Sequence, residues 1–139
     1  MANVDAIPEK IKEAASLYEE NRIDILVNSA GIHHTLSFDN MTEEEFDRIM
    51  DTNVKGTFFV SWAVGNYMIE NRIKGHILNI SSSSALRPAW ELYQISKWAI
   101  RGFTLGLAEK LQLYGIVVNA IAPGQTATPM LGKNSRDDI

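Results

Sequence analysis

The sequence predicts an α/β fold: a doubly wound parallel sheet in a three-layer α/β/α arrangement, forming one domain over residues 1–139. Three observations carry that expectation. Helix-like and strand-like segments alternate along the chain, and such alternation implies right-handed crossovers and parallel pairing. The apolar runs 23–27, 77–80 and 116–122 lack the in-out alternation of half-exposed strands, as expected for strands covered on both faces. Each run stops at small or polar residues, over 28–31, 81–84 and 123–128. Ligands of open parallel sheets bind beyond the carboxyl ends of the strands, so the three clusters should converge on one crevice.

Each element has its own signals. Asp5 is a plausible N-cap with Pro8 tolerated in the first turn, and Ile7, Ile11, Ala14, Ala15 and Tyr18 recur at helical spacing to about residue 20. Asn21-Arg22 breaks that helix. The first apolar run follows, then a polar connection over 32–41 carrying His33 and His34. Thr42 with Glu45 fits a capping box, and three glutamates suit the positive end of a helix. That second helix should run through Phe46, Ile49, Met50, Val54 and Phe58 toward Asn71, with Asn53 and Gly56 inside it where better helix formers are expected. After the second apolar run, a loop containing Pro88 leads into a third helix that carries Tyr93 and ends near Tyr114-Gly115. From Met130 onward the chain is polar and without periodicity.

Composition narrows the function classes. A hydrophobic fraction of 45% and a charged fraction of 22% are those of a soluble globular domain. The net charge of -4 argues against nucleic acid or an anionic membrane as partner. With no cysteine, disulfides and thiolate metal sites are excluded. No run has the length of a membrane span and no secretion-signal pattern opens the chain, so a cytoplasmic location is expected. Two adjacent histidines without a carboxylate cluster read as a solvated loop, and no metal is assigned.

The chemistry concentrates on Tyr93-Gln94-Ile95-Ser96-Lys97. Four residues apart on a helix, Tyr93 and Lys97 share a face about one turn apart. A free phenol titrates near pH ~10. A fixed cation beside it favours the phenolate and makes it a usable acid or base nearer neutrality. An incidental Tyr and Lys on a surface helix is the bland alternative, and what decides is whether the chain brings partners to the pair.

Four further stretches do so, in order: Asn28-Ser29-Ala30-Gly31, Asn53 within Asp51-Thr52-Asn53-Val54-Lys55-Gly56, Asn79-Ile80-Ser81-Ser82, and Pro123-Gly124 with Thr126 and Thr128. With the Tyr-x-x-x-Lys spacing they resemble the classical short-chain dehydrogenase/reductase family, Ser29 replacing the second asparagine of its Asn-Asn-Ala-Gly signature. The resemblance implies a partial Rossmann-like sheet, NAD or NADP as cofactor and a small-molecule carbonyl or alcohol as substrate. Tyr93 would donate a proton to the carbonyl oxygen or take it from the alcohol. Ser82 would hydrogen-bond the same oxygen, Lys97 would depress the Tyr93 pKa and hold the nicotinamide ribose, and Asn53 would help hold a water on a proton path. Asn28, Ala30 and Gly31 would line the adenosine-ribose side; Pro123, Gly124, Thr126 and Thr128 would meet the nicotinamide end. The stretch from Ser82 to Tyr93 is about two residues shorter than the usual family spacing. Ser82 is in register with the motif, and Ser81 or Ser83 takes the role if the strand end is bulged. Ser84 reads as part of a turn.

The sequence also departs from the family. It has no strand followed by a glycine-rich turn at a helix start, the pyrophosphate cradle of such folds, nor the strand that chooses between NAD and NADP. The resemblance covers residues 1–131 but only a portion of the family's domain. The expectation is a fragment of an enzyme, since Asn53, Ser82, Tyr93 and Lys97 are all retained, and weak cofactor binding by this stretch alone. A non-catalytic Rossmann-like binding or oligomerisation module is the alternative. The epimerase and dehydratase branch shares the Tyr-Lys spacing but is disfavoured by the 28–31 and Pro123-Gly124 motifs. Trp90 and Leu92 flank Tyr93, and Met130-Leu131 resembles the start of a substrate lid. The helices at about 42–70 and 93–113 are apolar almost all round. The resemblance makes them a subunit contact, so a homo-oligomer is expected.

Overall fold

A computed structural model of the protein describes residues 4–33 and 37–124. Helix α1 spans Ile7–Ser16 and strand β1 Ile25–Asn28. Helix α2, Glu43–Met50, passes through a π-helical turn at Asp51–Gly56 into α3, Thr57–Glu70. Strand β2, His76–Ile80, leads through a short 3₁₀ turn, Ser83–Leu86, to α4, Leu92–Leu111, and β3, Val117–Ile121, follows. The strands pair in parallel in the order β1-β2-β3, Leu26 opposite Ile77 and Ile77 opposite Val118.

The α/β class and the parallel, Rossmann-like sheet are those the sequence predicts. The core places Val64 and Met68 of α3, Leu111 of α4, and Ile77 and Val118 of the sheet in one buried cluster, with Ile11 of α1 packed against it. Helices α1, α3 and α4 therefore cover the same sheet face. The topology requires this: β1 to β2 to β3 steps in one direction, and right-handed crossovers stepping one way put every helix on one side. On the other face Ile25, Val27, Val117 and Ile121 are exposed. Their apolar character explains the unalternating runs; the helical layer that would cover them is not among the described residues.

Local differences have local causes. Helix α1 has Ala6, not Asp5, at its N-cap, with no side-chain bond; Asp5 lies in a 3₁₀ turn over Val4–Ala6. Thr42 does cap α2, its hydroxyl accepting from the Glu45 amide at 3.2 Å, while the Glu45 carboxylate pairs with Arg48. The expected single helix toward Asn71 is three pieces, because the π turn inserts at Asn53. Gly75 is dictated by packing, since a Cβ there would lie 2.6 Å from Met68 Cε and 2.7 Å from the Asp24 carbonyl. Gly115 ends the α4 segment at a φ of 73°, a conformation natural to glycine.

Candidate active site

A polar chain, part-buried at Asn28 and buried beyond it, links the sheet to α3 and α4. The Asn28 amide donates to Ser61 Oγ of α3 and to Asn79 Oδ1 of β2, each at 2.8 Å. Asn79 in turn donates to Thr104 Oγ1 of α4 at 2.9 Å, and the Thr104 hydroxyl donates to the Ile100 carbonyl at 2.7 Å. Buried amides and hydroxyls are tolerable only when paired in this way. Asn28, read as a cofactor-lining residue, thus spends its side-chain amide on the sheet-helix junction.

Asn53 is 1% exposed and sits on the π turn. Such turns re-aim side chains within a helix and often mark functional sites. Its amide brackets one peptide of the loop after β1: Oδ1 accepts from the Ile32 N–H at 2.8 Å and Nδ2 donates to the Ile32 carbonyl at 2.9 Å. Nδ2 also donates to Ser96 Oγ at 3.0 Å, and Ser96 donates to the Tyr93 carbonyl at 2.7 Å. Asn53 therefore ties the loop carrying Gly31 to the helix carrying Tyr93. Gly31 itself lies so close that a Cβ would stand 3.4 Å from Lys97 Nζ and 3.5 Å from Asn53 Oδ1.

Lys97 and Tyr93 stand together on α4, with Nζ 5.5 Å from the centre of the Tyr93 ring. Lys97 is 5% exposed, and Nζ donates to the Ile80 carbonyl at the end of β2 at 2.9 Å. Burial alone pushes its ammonium below its ordinary pKa. The phenol also meets an unforeseen neighbour, His33, whose ring is tilted 56° against it at 5.0 Å. Arg48 holds the His33 carbonyl at 3.3 Å, so this histidine is packed on the pair rather than free in a solvated loop. Only its place next to Gly31-Ile32 could have suggested it.

The serines separate by environment. Ser81 is buried and its hydroxyl donates to the Lys97 carbonyl at 3.1 Å. Ser82, at the N-cap of the Ser83–Leu86 turn, shares a 2.7 Å hydrogen bond with the Ser84 hydroxyl and accepts from the Ser84 amide at 3.2 Å. Ser84, expected to be turn filler, is thus a partner of Ser82; when Ser84 donates, the Ser82 proton is left for a ligand. The Ser83 amide donates to the Pro123 carbonyl at 2.9 Å, which brings the Pro123-Gly124 segment beside the serines. Ala30, Pro123 and Gly124 are exposed. Thr126, Thr128, His34 and Met130-Leu131 lie outside the described residues. A hollow of about 310 Å³ between α4, the Ser83–Leu86 turn and β3 is lined by Ser82, Leu86, Arg101 and Leu105 but by neither Tyr93 nor Lys97, so it is not the chamber of the pair.

A family model described as short chain dehydrogenase matches residues 1–139. The chain is 40% identical over 139 residues to an acetoacetyl-CoA reductase of Acinetobacter sp. (strain RA3849), an alignment covering 99% of this chain and 55% of that protein. It is 45% identical over 121 residues to the short-chain reductase protein NovJ of Streptomyces niveus, covering 85% of this chain and 45% of NovJ. Two solved structures are similar. ElxO with NADP bound has a TM-score of 0.80 at 31% identity, over 88% of this chain and 49% of that one. A short chain dehydrogenase from Leptospira borgpetersenii serovar Hardjo-bovis with bound NAD+ has a TM-score of 0.76 at 37% identity, over 88% and 52%. The chain spans about half the length of these relatives. With the family model matched end to end, the chain belongs to the short-chain dehydrogenase family.

Proposed function

We propose that this chain carries the acid-base machinery of an NAD(P)-dependent oxidoreductase that interconverts a carbonyl and a secondary alcohol. One observation carries the reading: Lys97 Nζ stands over the Tyr93 ring while anchored to the Ile80 carbonyl, with Gly31 and Asn53 closing around it. A buried ammonium held against a phenol is placed to stabilise the charge that the phenol acquires on giving up its proton.

The fit to a nicotinamide cofactor is favourable at the end these residues would meet. Gly31 leaves a gap that a side chain would fill, Ala30 is exposed, and a Cβ at Gly124 would meet nothing within 4 Å. When bound, the nicotinamide supplies or accepts the hydride. Tyr93 then delivers the proton to the carbonyl oxygen, or removes it from the alcohol. Ser82 donates a hydrogen bond to that oxygen as charge builds on it, with Ser84 orienting its hydroxyl. Lys97 balances the phenolate and holds the ribose. Asn53 acts chiefly by locking the Ile32 peptide to the Ser96 turn; its own carbonyl is taken by the Thr57 hydroxyl at 2.9 Å. Thr126 and Thr128 remain proposed contacts for the nicotinamide end. NADP and NAD+ both occur in the similar structures, so either nucleotide is proposed.

The proposal extends to a homo-oligomer built on α3 and α4. Phe58, Trp62, Ile95, Trp98 and Leu105 are exposed there, and a Cβ at Gly102 or Gly106 would meet nothing within 4 Å. The test of the activity is ketone-dependent loss of NADH or NADPH absorbance with the full-length protein. Turnover that Lys97→Ala abolishes is expected; a Lys97→Ala variant as fast as wild type would overturn the reading.

A further inference from the structure

The phenol of Tyr93 touches side chains from two parts of the chain. Lys97 comes from its own helix, with Nζ 5.5 Å from the ring centre. His33 comes from the loop after β1. Its ring centre lies 5.0 Å from that of the phenol with 56° between the planes, and aromatic rings favour such angled contacts over a face-to-face sandwich. The proposed chemistry uses Lys97 and gives His33 no part.

The backbone that carries His33 is held at three consecutive residues. A Cβ at Gly31 would stand 3.4 Å from Lys97 Nζ, so the chain runs directly against the ammonium. The Ile32 peptide is bracketed by the buried Asn53 amide, 2.8 Å from its N–H and 2.9 Å from its carbonyl. The His33 carbonyl accepts from Arg48 Nη2 at 3.3 Å, and Arg48 is itself steadied by the Glu45 carboxylate. Ordering a loop backbone costs entropy. Here bonds from α2 and the π turn offset that cost, and the segment they order ends with an imidazole on the phenol. His33 is half-buried, as suits a side chain whose apolar body can lie on a ring while its polar tip reaches water.

A tyrosine that donates a proton has to keep its hydroxyl within hydrogen-bond reach of the reacting oxygen. That hydroxyl sits at the far end of the ring, so a small swing of the side chain displaces it by more than the chemistry tolerates. Lys97 restrains the ring from along the helix, and a contact from a second element restrains it from elsewhere in the fold. We propose that His33 is a positioning residue for Tyr93, its ring holding the phenol so that the hydroxyl stays aimed at the substrate oxygen. This rests on Tyr93 acting as the proton donor. In this role His33 takes no proton and acts only through Tyr93.

The test uses the full-length protein with its nicotinamide nucleotide and 2,3-butanedione as the ketone. In His33→Ala, kcat should fall toward the roughly 10²-fold loss that an ångström of misplacement causes. KM for the ketone and nucleotide affinity by calorimetry should change little. His33→Phe, which keeps a ring at that place, should restore most of kcat. A wild-type kcat in His33→Ala, or a His33→Phe variant as slow as His33→Ala, overturns the proposal. A second arm needs no turnover. In protein labelled with ring-13C tyrosine, the Tyr93 signal is the one that Tyr93→Phe removes. His33→Ala should shift that signal, because the ring current of an imidazole 5.0 Å away is lost; an unmoved signal overturns the proposal. His33→Leu replaces His33→Ala in both arms if the alanine variant does not fold. A shifted signal with no ketone reduced upholds His33 as the holder of the ring and removes the oxidoreductase reading. Wild-type turnover in His33→Ala does the reverse.

Discussion

At the scale of residues, the site is a contest between burial and charge centred on Lys97. Burial lowers its pKa in the folded protein below the ordinary value of 10.5, which the unfolded chain retains. Between those two values the unfolded chain binds more protons, so unfolding becomes harder as pH rises through that window. Below it the full burial penalty is present. The expected outcome is that wild-type stability relative to Lys97→Met, from urea unfolding, increases as pH is raised from ~7 toward ~10. A flat or falling difference contradicts the burial account. The serines give a second contrast. Ser82→Ala should lower kcat about 10²-fold or more, as loss of a donor to a developing oxyanion does. Ser81→Ala removes only the bond to the Lys97 carbonyl and should cost about 1 kcal/mol of stability while keeping most of kcat. If the two variants exchange these phenotypes, the serine assignment is wrong. The Tyr93-Lys97 pair was legible because i, i+4 spacing is a geometric statement that any helix honours. His33 was not, since a ring contact between a loop and a helix leaves no periodic trace.

At the scale of elements, the polar chain from Ser61 through Asn28 and Asn79 to Thr104 fixes how α3 and α4 seat on the sheet. Asn79→Ala leaves the Asn28 amide with Ser61 alone and the Thr104 hydroxyl with the Ile100 carbonyl alone, and the two lost buried hydrogen bonds should destabilise the protein by roughly 1–3 kcal/mol. Chemical denaturation reads this directly, and a neutral effect would mean that the chain is not structural. Asn79 was read in the sequence only as part of the Asn79-Ile80-Ser81-Ser82 stretch; its partners lie 51 and 25 residues away and could come only from the fold. The π turn was illegible for a related reason. Its residues, Asp51–Gly56, have ordinary helical patterning on either side, and one inserted residue shifts the phase without changing the composition. Sequence did show Asn53 and Gly56 as misfits in a helix; the physical reason is that Asn53 must turn inward to bracket Ile32. The Asp5 cap failed because capping depends on backbone angles at the helix start, and Ala6, adopting helical angles there, continues the preceding turn.

At the scale of the whole molecule, alternation of apolar segments was enough to specify a parallel α/β sheet, and the ends of the first two strands do meet at Lys97, which lies against Gly31 and bonds the Ile80 carbonyl. Which face each helix covers depends on the direction in which the crossovers step, and that is a property of the assembled sheet. The exposed rings and glycines of α3 and α4 set the proposed assembly. Leu105→Glu, placing a charge in that surface, should shift the full-length protein toward monomer by size exclusion with light scattering; a wild type that is already a clean monomer contradicts the interface. In the proposed mechanism Tyr93 moves the proton and does not hold the nucleotide alone. Its most direct test is the full-length Tyr93→Phe variant, measured for hydride transfer in a single turnover and for nucleotide binding by calorimetry. Hydride transfer should fall by at least about 10²-fold, the scale of a lost general acid, with nucleotide affinity nearly unchanged. Hydride transfer at the wild-type rate would contradict that mechanism.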